Sequence, residues 1–399
     1  MGDPIATLAI APHYSRFRVS ERLLLTGHSH QAWPDVGFEA QQRAWLDAAE
    51  YVDEKWERAS EQAARVQAGF RRLLNDPDGD IALGQNTHEL VTRLLSALRI
   101  VARPRIVTTD GEFHTIRRQL DRLREEGLAV VKVQRWPAAT LAERIASAID
   151  DGTACVLVSS VLFETAEIVP GLDLIAHACR RYGATLLVDA YHHLNVVPFD
   201  IRALGLDEAF VTGGGYKYCQ LGEGSCFLRV PPGCTLRPVL TGWFSEFASL
   251  EQRDPRGYVE YAAGAARFAG ATYDPTSHYR AAAVFDFHVE QQLTPERLRE
   301  ISRHQVGLLK RDVEALDLDP AVAQVEPMPD RSRGGFLAIR SPRAGDLCRA
   351  LRARGVRTDF RGDILRLGPA PYLSDNQLRD AIAIFGEILS TQRTRRTQR

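Results

Sequence analysis

The sequence predicts an α/β protein, in which a large domain with a mainly parallel sheet flanked by helices is joined to a smaller α+β C-terminal domain. Three observations carry this. Short strand-forming runs alternate with helical periodicity between about residues 80 and 230, the pattern of a layered parallel sheet. From about residue 279 the texture changes to long helices followed by a strand and two more helices. The chain has 399 residues, room for two or three units of roughly 100–200 residues each.

In chain order, residues 41–74 read as one amphipathic helix, ended by the turn cluster Asn75-Asp76-Pro77-Asp78-Gly79-Asp80. Strands follow at 80–84, 105–108, 129–133, 155–159, 185–188, 208–211 and 226–229. Helices fill the gaps: one capped by Asn86-Thr87-His88-Glu89 and ending near 98, then 117–126, 141–149 and 172–182. Beyond 279 the helices are 281–292, 295–316, 344–354 and 375–389, with a strand at 335–340. The boundaries are an N-terminal arm over 1–40, the large domain over 41–278, the small domain over 279–390 and a frayed basic tail over 391–399.

Fifty basic against fifty-one acidic residues leave a net charge of -1, which gives no electrostatic footprint for nucleic acid or an anionic membrane. A small-molecule substrate is the expectation. The start, Met1-Gly2-Asp3-Pro4-Ile5, lacks the basic and apolar regions of a signal peptide, and no apolar run is long enough to span a bilayer. The six cysteines have neither CxxC spacing nor disulfide-scaffold density, so the expected compartment is reducing and cytoplasmic.

Chemistry concentrates at predicted strand ends. Asp189 closes the apolar run Thr185-Leu186-Leu187-Val188, and Lys217 follows Phe210-Val211-Thr212-Gly213-Gly214-Gly215-Tyr216. Open α/β sheets bind ligands at the carboxyl ends of their strands. A lysine to hold pyridoxal phosphate as a Schiff base and an aspartate to keep its ring nitrogen protonated would suit that edge. Alone, a strand-end Asp is better explained as a cap on the next turn; the pair points to the cofactor. The triple glycine is read as a tight backbone turn beside it.

Thr87 and His88 open a helix directly after a strand, where free N–H groups and the helix dipole hold phosphate. A plain N-cap reads the same locally, and Glu89 must point away or be offset by a cation. Glu112-Phe113-His114 offers two flat rings, Phe113 and His114, at the same edge; a structural His is the bland alternative.

These segments resemble the aspartate-aminotransferase fold, pyridoxal-phosphate fold type I, of the class V aminotransferase group, and within it the kynureninases. Asp189-Ala190-Tyr191-His192 resembles the family's D-x-x-H, which implies that Asp189 meets the pyridine nitrogen and His192 lies by the cofactor. Gly215-Tyr216-Lys217-Tyr218 with Gly222-Glu223-Gly224 resembles S-Y-K-Y-x-x-x-G-x-G, implying Lys217 as the covalent lysine and Tyr216 beside the reacting centre. Leu240-Thr241-Gly242-Trp243-Phe244 resembles V-G-W-F/W, implying that Trp243 helps to hold the phosphate. Arg267 to Thr272 resembles the class V segment whose Thr, here Thr272, serves the neighbouring subunit. Asp359-Phe360-Arg361 and Arg366-Leu367-Gly368-Pro369-Ala370-Pro371-Tyr372 resemble D-x-R and R-x-A-P-x-P-L-Y, which implies Arg366 at the substrate carboxylate. Leu25-Thr26-Gly27-His28-Ser29-His30 resembles L-D-G-N-S-L, making the arm a substrate-side segment with Ser29 near the substrate; Thr165-Ala166-Glu167 stands where the family has T-G-Q.

Two motifs around the substrate's aromatic ring depart: H-x-x-G-x-R-P-W is missing from 41–74, and S-N-P-P is replaced by Thr272-Tyr273-Asp274-Pro275. The resemblance implies hydrolytic Cβ–Cγ cleavage giving alanine and an acid, with Lys217 moving the α-proton and Tyr216 as acid–base, in a homodimer that shares Trp and Thr residues. A class V aminotransferase or a β-lyase would use the same lysine and aspartate. A cysteine desulfurase needs a mobile Cys before the C-terminal Arg, and 357–365 contains none. A distant alternative is a metal hydrolase built on His28, His30, His88, His114, His192 and His193; no HExxH supports it, and no metal is assigned.

Overall fold

The computed structural model describes residues 10–250 and 257–397. Residues 1–9 of the expected arm and 398–399 of the expected tail lie outside the described residues. After β1 (Leu23–Leu24), helices α1 (Val36–Tyr51) and α2 (Lys55–Leu73) lead into the large sheet. Its strands are β2 (Asp80–Gly84), β3 (Arg105–Thr109), β4 (Ala129–Val133), β5 (Thr153–Ser159), β6 (Thr185–Asp189), β7 (Phe210–Gly214) and β8 (Cys226–Val230), in the spatial order β2-β8-β7-β6-β5-β3-β4. Neighbours from β4 through β7 pair in parallel, while β8 runs antiparallel to both β7 and β2. β2 therefore points the same way as β7, and its carboxyl end reaches the same edge of the sheet.

Every residue of β5 is buried, as expected of a strand covered on both faces. Val156 and Val158 join a core with Phe70 of α2, Ile145 of α5 (Leu141–Ser147), Ile175 of α6 (Leu172–Tyr182) and Phe285 of α7 (Thr276–Glu290). Cys155 and Leu157 alternate to the other face and meet Leu94 of α3 (Thr87–Ala97) and Leu120 of α4 (His114–Glu125). From β3 the chain moves outward to β4 and then back past β3 to β5. Successive connections thus leave in opposite directions at the β3/β5 boundary, the topological switch point where such sheets open a crevice.

The remaining elements are α8 (Pro295–Glu314), β9 (Gln324–Val325), β10 (Leu337–Arg340), α9 (Ala344–Ala353), β11 (Val356–Arg357), β12 (Asp359–Arg361), β13 (Ile364–Leu367) and α10 (Asp375–Thr397). They form an antiparallel sheet, β12-β13-β10-β9, while β11 pairs in parallel with β1. Tyr14 and Leu25 of the N-terminal arm are buried in the same core as Leu309, Leu365 and Phe385. Among the described residues no helix is long and apolar enough to cross a membrane.

Three expectations need correcting. The single helix over 41–74 is two helices, broken where Val52 takes φ 51°; a β-branched residue pays for that conformation, and the packing of both helices against α7 imposes it. The expected strand at 208–211 instead spans Phe210–Gly214, because Gly213 and Gly214 pair with Phe227 and Cys226 of β8. These two glycines are not a turn. A Cβ on Gly214 would lie 2.4 Å from both Cys226 Sγ and Tyr191 Oη, so close approach is what requires glycine. The last helix, expected to end at 389, continues to Thr397.

One buried ion pair ties the sheet edge to the preceding turn. Arg229 of β8 donates to Asp76 Oδ2 at 2.9 Å and to the carbonyls of Asp207 and Ala209 at 2.6 and 2.9 Å. Arg229→Ala would leave the Asp76 carboxylate buried and unpaired, a loss of about 3–5 kcal/mol. The expected outcome is a clearly lowered denaturation midpoint, whereas a surface substitution such as Arg124→Ala should leave the midpoint almost unchanged.

Candidate active site

Strand register assembles the site. Asp189, the last residue of β6, pairs with Ser159 on one side and Thr212 on the other. Beyond β7 the chain turns so that the Lys217 amine is buried, with Nζ 2.9 Å from His192 Nε2. The amine also sits over rings, 4.3 Å from the Tyr191 centroid, 5.2 Å from Phe113 and 5.6 Å from Tyr216. Burial pushes the Lys217 amine down to about 7; Asp189 acts to raise it and Arg366 to lower it further. An amine poised there is largely neutral just above pH 7 and able to attack a carbonyl.

Asp189 is raised by burial, opposed by the Tyr191 amide, which donates to its Oδ1 at 2.8 Å, and by the charge of Lys217. Behind it at the switch point lies Glu112. Its Oε1 accepts from the Thr109 hydroxyl (2.6 Å) and the Ser159 amide (3.2 Å), and its Oε2 from the Ser159 hydroxyl (2.6 Å). Burial pushes Glu112 up to about 7, against those hydrogen bonds and with some help from Asp189. His192 is held neutral, first by burial and then by Lys217. With Nε2 facing the lysine, the ring proton is assigned to Nδ1, which is buried without a hydrogen-bond partner. Buried donors are rarely left unmet.

The N-terminus of α3 closes the same edge. Asn86 caps it by accepting from the Glu89 amide at 2.9 Å, leaving Thr87 and His88 in the first turn. Glu89 is offset, its Oε1 accepting from Asn86 Nδ2 at 3.2 Å and its Oε2 paired with Arg93 at 3.2 Å. A reactive amine, a strand-end carboxylate, an unmet imidazole donor and a helix N-terminus on one edge fit a flat, phosphorylated pyridine aldehyde. Phe113 and His114 stand at the start of α4, both 5.3 Å from the Phe163 ring.

From the small sheet, Arg366 of β13 enters the cluster. It faces its cross-strand partner Asp359, giving Nε to Oδ1 at 2.8 Å and Nη2 to Oδ2 at 2.5 Å, while Nη1 donates to the Phe163 carbonyl at 2.6 Å. Asp359 Oδ1 is also 2.7 Å from His28 Nε2. Burial raises the Asp359 carboxyl, but His28 and Arg366 outweigh it and hold it well below its usual range.

Other sequence-predicted residues lie further out. Ser29 Oγ bonds the Thr26 carbonyl within its own turn at 3.1 Å. Trp243 stacks on Phe244 at 4.4 Å and lines a cavity of about 700 Å³ with Trp56, Phe247 and Tyr273; that cavity reaches Gln85 and Glu89 at the N-terminus of α3. Thr272 is exposed, and neither residue is among those surrounding Lys217. Of the six histidines weighed as metal ligands, four have separate engagements: His28 on Asp359, His30 stacked on Tyr216 at 5.0 Å, His192 on Lys217, and His193 between Ser160 Oγ and the Pro198 carbonyl. Among the described residues no three His, Cys, Asp or Glu side chains converge as a metal-ion group.

Sequence reasoning missed Glu112, Phe163, Phe336 and the part played by His28. Glu112 had a local signal, an acid three residues after the β3 end. Phe163 and Phe336 had none, since only the tertiary fold brings their rings to His114, His192 and Arg366.

The family model "Aminotransferase class-V" matches residues 49–316, and "Kynureninase C-terminal domain" matches 298–385. A kynureninase of Bacillus cereus is 26% identical over 392 residues, covering 94% of this chain and 86% of that one. A kynureninase from a second Bacillus cereus strain is 29% identical over 272 residues, 66% of this chain but only 61% of its own length. An uncharacterized aminotransferase of Bacillus subtilis, YcbU, is 23% identical over 342 residues, 85% of this chain and 87% of that one. Among solved structures, a C-DES mutant with glycine covalently linked to its pyridoxal phosphate superposes with a TM-score of 0.80 at 18% identity, covering 94% and 98% of the two chains. A cysteine desulfurase of Thermococcus onnurineus gives 0.76 at 16% identity, covering 93% and 96%. The fold is theirs, and the protein, a pyridoxal-phosphate-dependent enzyme, belongs to the class V aminotransferase family.

Proposed function

We propose that the enzyme carries out kynureninase-like hydrolysis of the Cβ–Cγ bond of an amino acid bearing a γ-carbonyl, giving alanine and an acid. The observation that carries an amino-acid substrate is that Lys217 Nζ meets His192 at 2.9 Å while the His192 ring and the Arg366 guanidinium both pack on Phe336, at 6.2 and 5.6 Å, which brings the amine and the guanidinium into one cluster. A carboxylate held by Arg366 would present its α-amino group toward the lysine. The kynureninase C-terminal match spans Asp359 and Arg366, which favours that chemistry within the family.

Bound at this edge, pyridoxal phosphate supplies an electron sink for charge at the substrate's α-carbon. Lys217 would hold it covalently, with Asp189 keeping the ring nitrogen protonated, His192, Phe113 and His114 flanking the ring, and the amides of Thr87 and His88 receiving the phosphate. Arg366 would take the α-carboxylate, with Ser29 nearby. Lys217 would move the α-proton as general base. Burial pushes the Tyr216 hydroxyl up to about 12, so it stays protonated near neutral pH, and Tyr216 would be the acid–base at the γ-carbonyl. Trp243 and Thr272, remote from Lys217 in one chain, would complete the site of a second copy in a homodimer. All six cysteines are free, in keeping with a cytoplasmic enzyme.

Lys217→Ala should abolish the lysine-dependent visible absorption band and lower turnover by about 10²–10⁴-fold or more; a band retained in the variant would sink the assignment. Because the amine must be neutral to attack, capture of added cofactor by the apo-protein should be slow below pH 7, rise through about 7 and level off above it. Stopped-flow absorbance across that range checks it, and a pH-independent rate would contradict it. Given kynurenine, the holoenzyme should release anthranilate and alanine. A keto acid formed from another amino acid only when an acceptor keto acid is supplied would make it a transaminase, and pyruvate released together with an equal amount of ammonia a β-lyase.

A further inference from the structure

His28 occupies a seat that the fold builds for it. The Gly27 amide donates to the Gly368 carbonyl at 2.8 Å and the Gly368 amide to the Leu25 carbonyl at 2.9 Å, pressing the arm against the continuation of β13. A Cβ on Gly27 would lie 2.5 Å from the Pro369 carbonyl oxygen, and one on Gly368 2.2 Å from His28 Nδ1. The imidazole is fully buried, with the Phe336 ring 4.6 Å away. Burial, reinforced by Arg366, holds His28 down to about 4, so it is neutral. Against an ionised carboxylate at 2.7 Å its Nε2 must carry the proton and donate. Nδ1 is then bare and buried without a partner. Packing alone would not favour a ring with an unmet nitrogen, whereas the Nε2–H has a defined task.

That task is to choose between two arginines. Asp359 Oδ2 is 2.5 Å from Arg366 Nη2 but also 3.7 Å from Nη1 of the half-buried Arg361. A carboxylate pinned at Oδ1 by His28 cannot swing toward Arg361, so both its oxygens stay on the Nε/Nη2 edge of Arg366. With the Phe163 carbonyl taking Nη1, one N–H on Nη1 and one on Nη2 are left for a ligand out of the five that a guanidinium offers.

We propose that His28 is a positioning residue that, through Asp359, fixes the plane of the Arg366 guanidinium and thereby the direction from which an α-carboxylate is received. The proposal rests on the reading of Arg366 as the carboxylate receptor. It concerns a position where the L-D-G-N-S-L pattern has Asn, which is too short to place a donor where His28 Nε2 stands.

The test uses the holoenzyme and two probes, L-alanine and ethylamine, which differ in the carboxylate; binding is read from the visible band of the cofactor. His28→Phe, which keeps the ring but not the donor, should weaken alanine about tenfold and leave ethylamine unchanged. His28→Gln, whose amide nitrogen reaches the Nε2 position, should restore alanine, and His28→Asn should behave like His28→Phe; these two keep the test alive if the Phe variant fails to fold. Equal weakening of both probes, or none, would overturn the role of His28. Arg366→Gln separates the two readings: if it does not weaken alanine relative to ethylamine, Arg366 is not the receptor and the proposal falls with it; if it does while His28 variants bind normally, only His28 is misassigned.

Discussion

An amine removed from water tends to give up its proton, and a nearby carboxylate tends to return it. Lys217 stands at that balance: burial drives it down and Asp189 pulls it up. The balance depends on strand register, since Asp189 reaches the edge only because β6 stays level with Ser159 of β5 and Thr212 of β7. It depends equally on Gly214, whose missing Cβ lets Tyr191 and Cys226 close around the loop that carries the lysine. The aromatic walls, the neutral His192 and the crowded glycines can all be understood as means of keeping that one amine dry and close to its counter-charge.

Much of this was legible in the sequence. Strand-forming runs ending in Asp189 and, a little further on, Lys217 placed both on one edge because parallel strands share a direction, and the helix cap at Asn86 could be read from its residue types. Short strands were another matter. β12 and β13 have too few residues for periodicity to register, so the hairpin that sets Asp359 opposite Arg366 was invisible as structure even though both residues stood out as motif. The break at Val52 was hidden for a different reason, because no local preference predicts a left-handed valine and only the docking of two helices on α7 demands one. Phe163 and Phe336 illustrate the general limit: apolar residues carry no chemical mark of the polar group they will flank.

The site has two halves of different character. The large-sheet half comprises strand ends and a helix N-terminus, so its geometry comes from backbone hydrogen bonding and is stiff. The Arg366 half is held by side chains, with each cation and anion fixed by the next. Its buried guanidinium and partly buried carboxylate are tolerable because Asp359 and Arg366 satisfy each other and a carbonyl takes a further donor. A guanidinium with most of its donors already engaged offers less attraction than a free one, but a defined direction of approach.

The N-terminal arm has a further consequence, for biosynthesis. β1 pairs with β11, Thr26 bridges Gly368, and the Ala32 amide donates to the Tyr372 hydroxyl 340 positions away. A segment made before the large sheet therefore waits for one made after it before it has a partner, and closing so long a loop is entropically costly and slow. The large sheet has all its strands by residue 230 and can order well before then. A chain that ordered its large sheet first would have Lys217 in place before the arm and Arg366, and in such a molecule cofactor capture would precede substrate recognition.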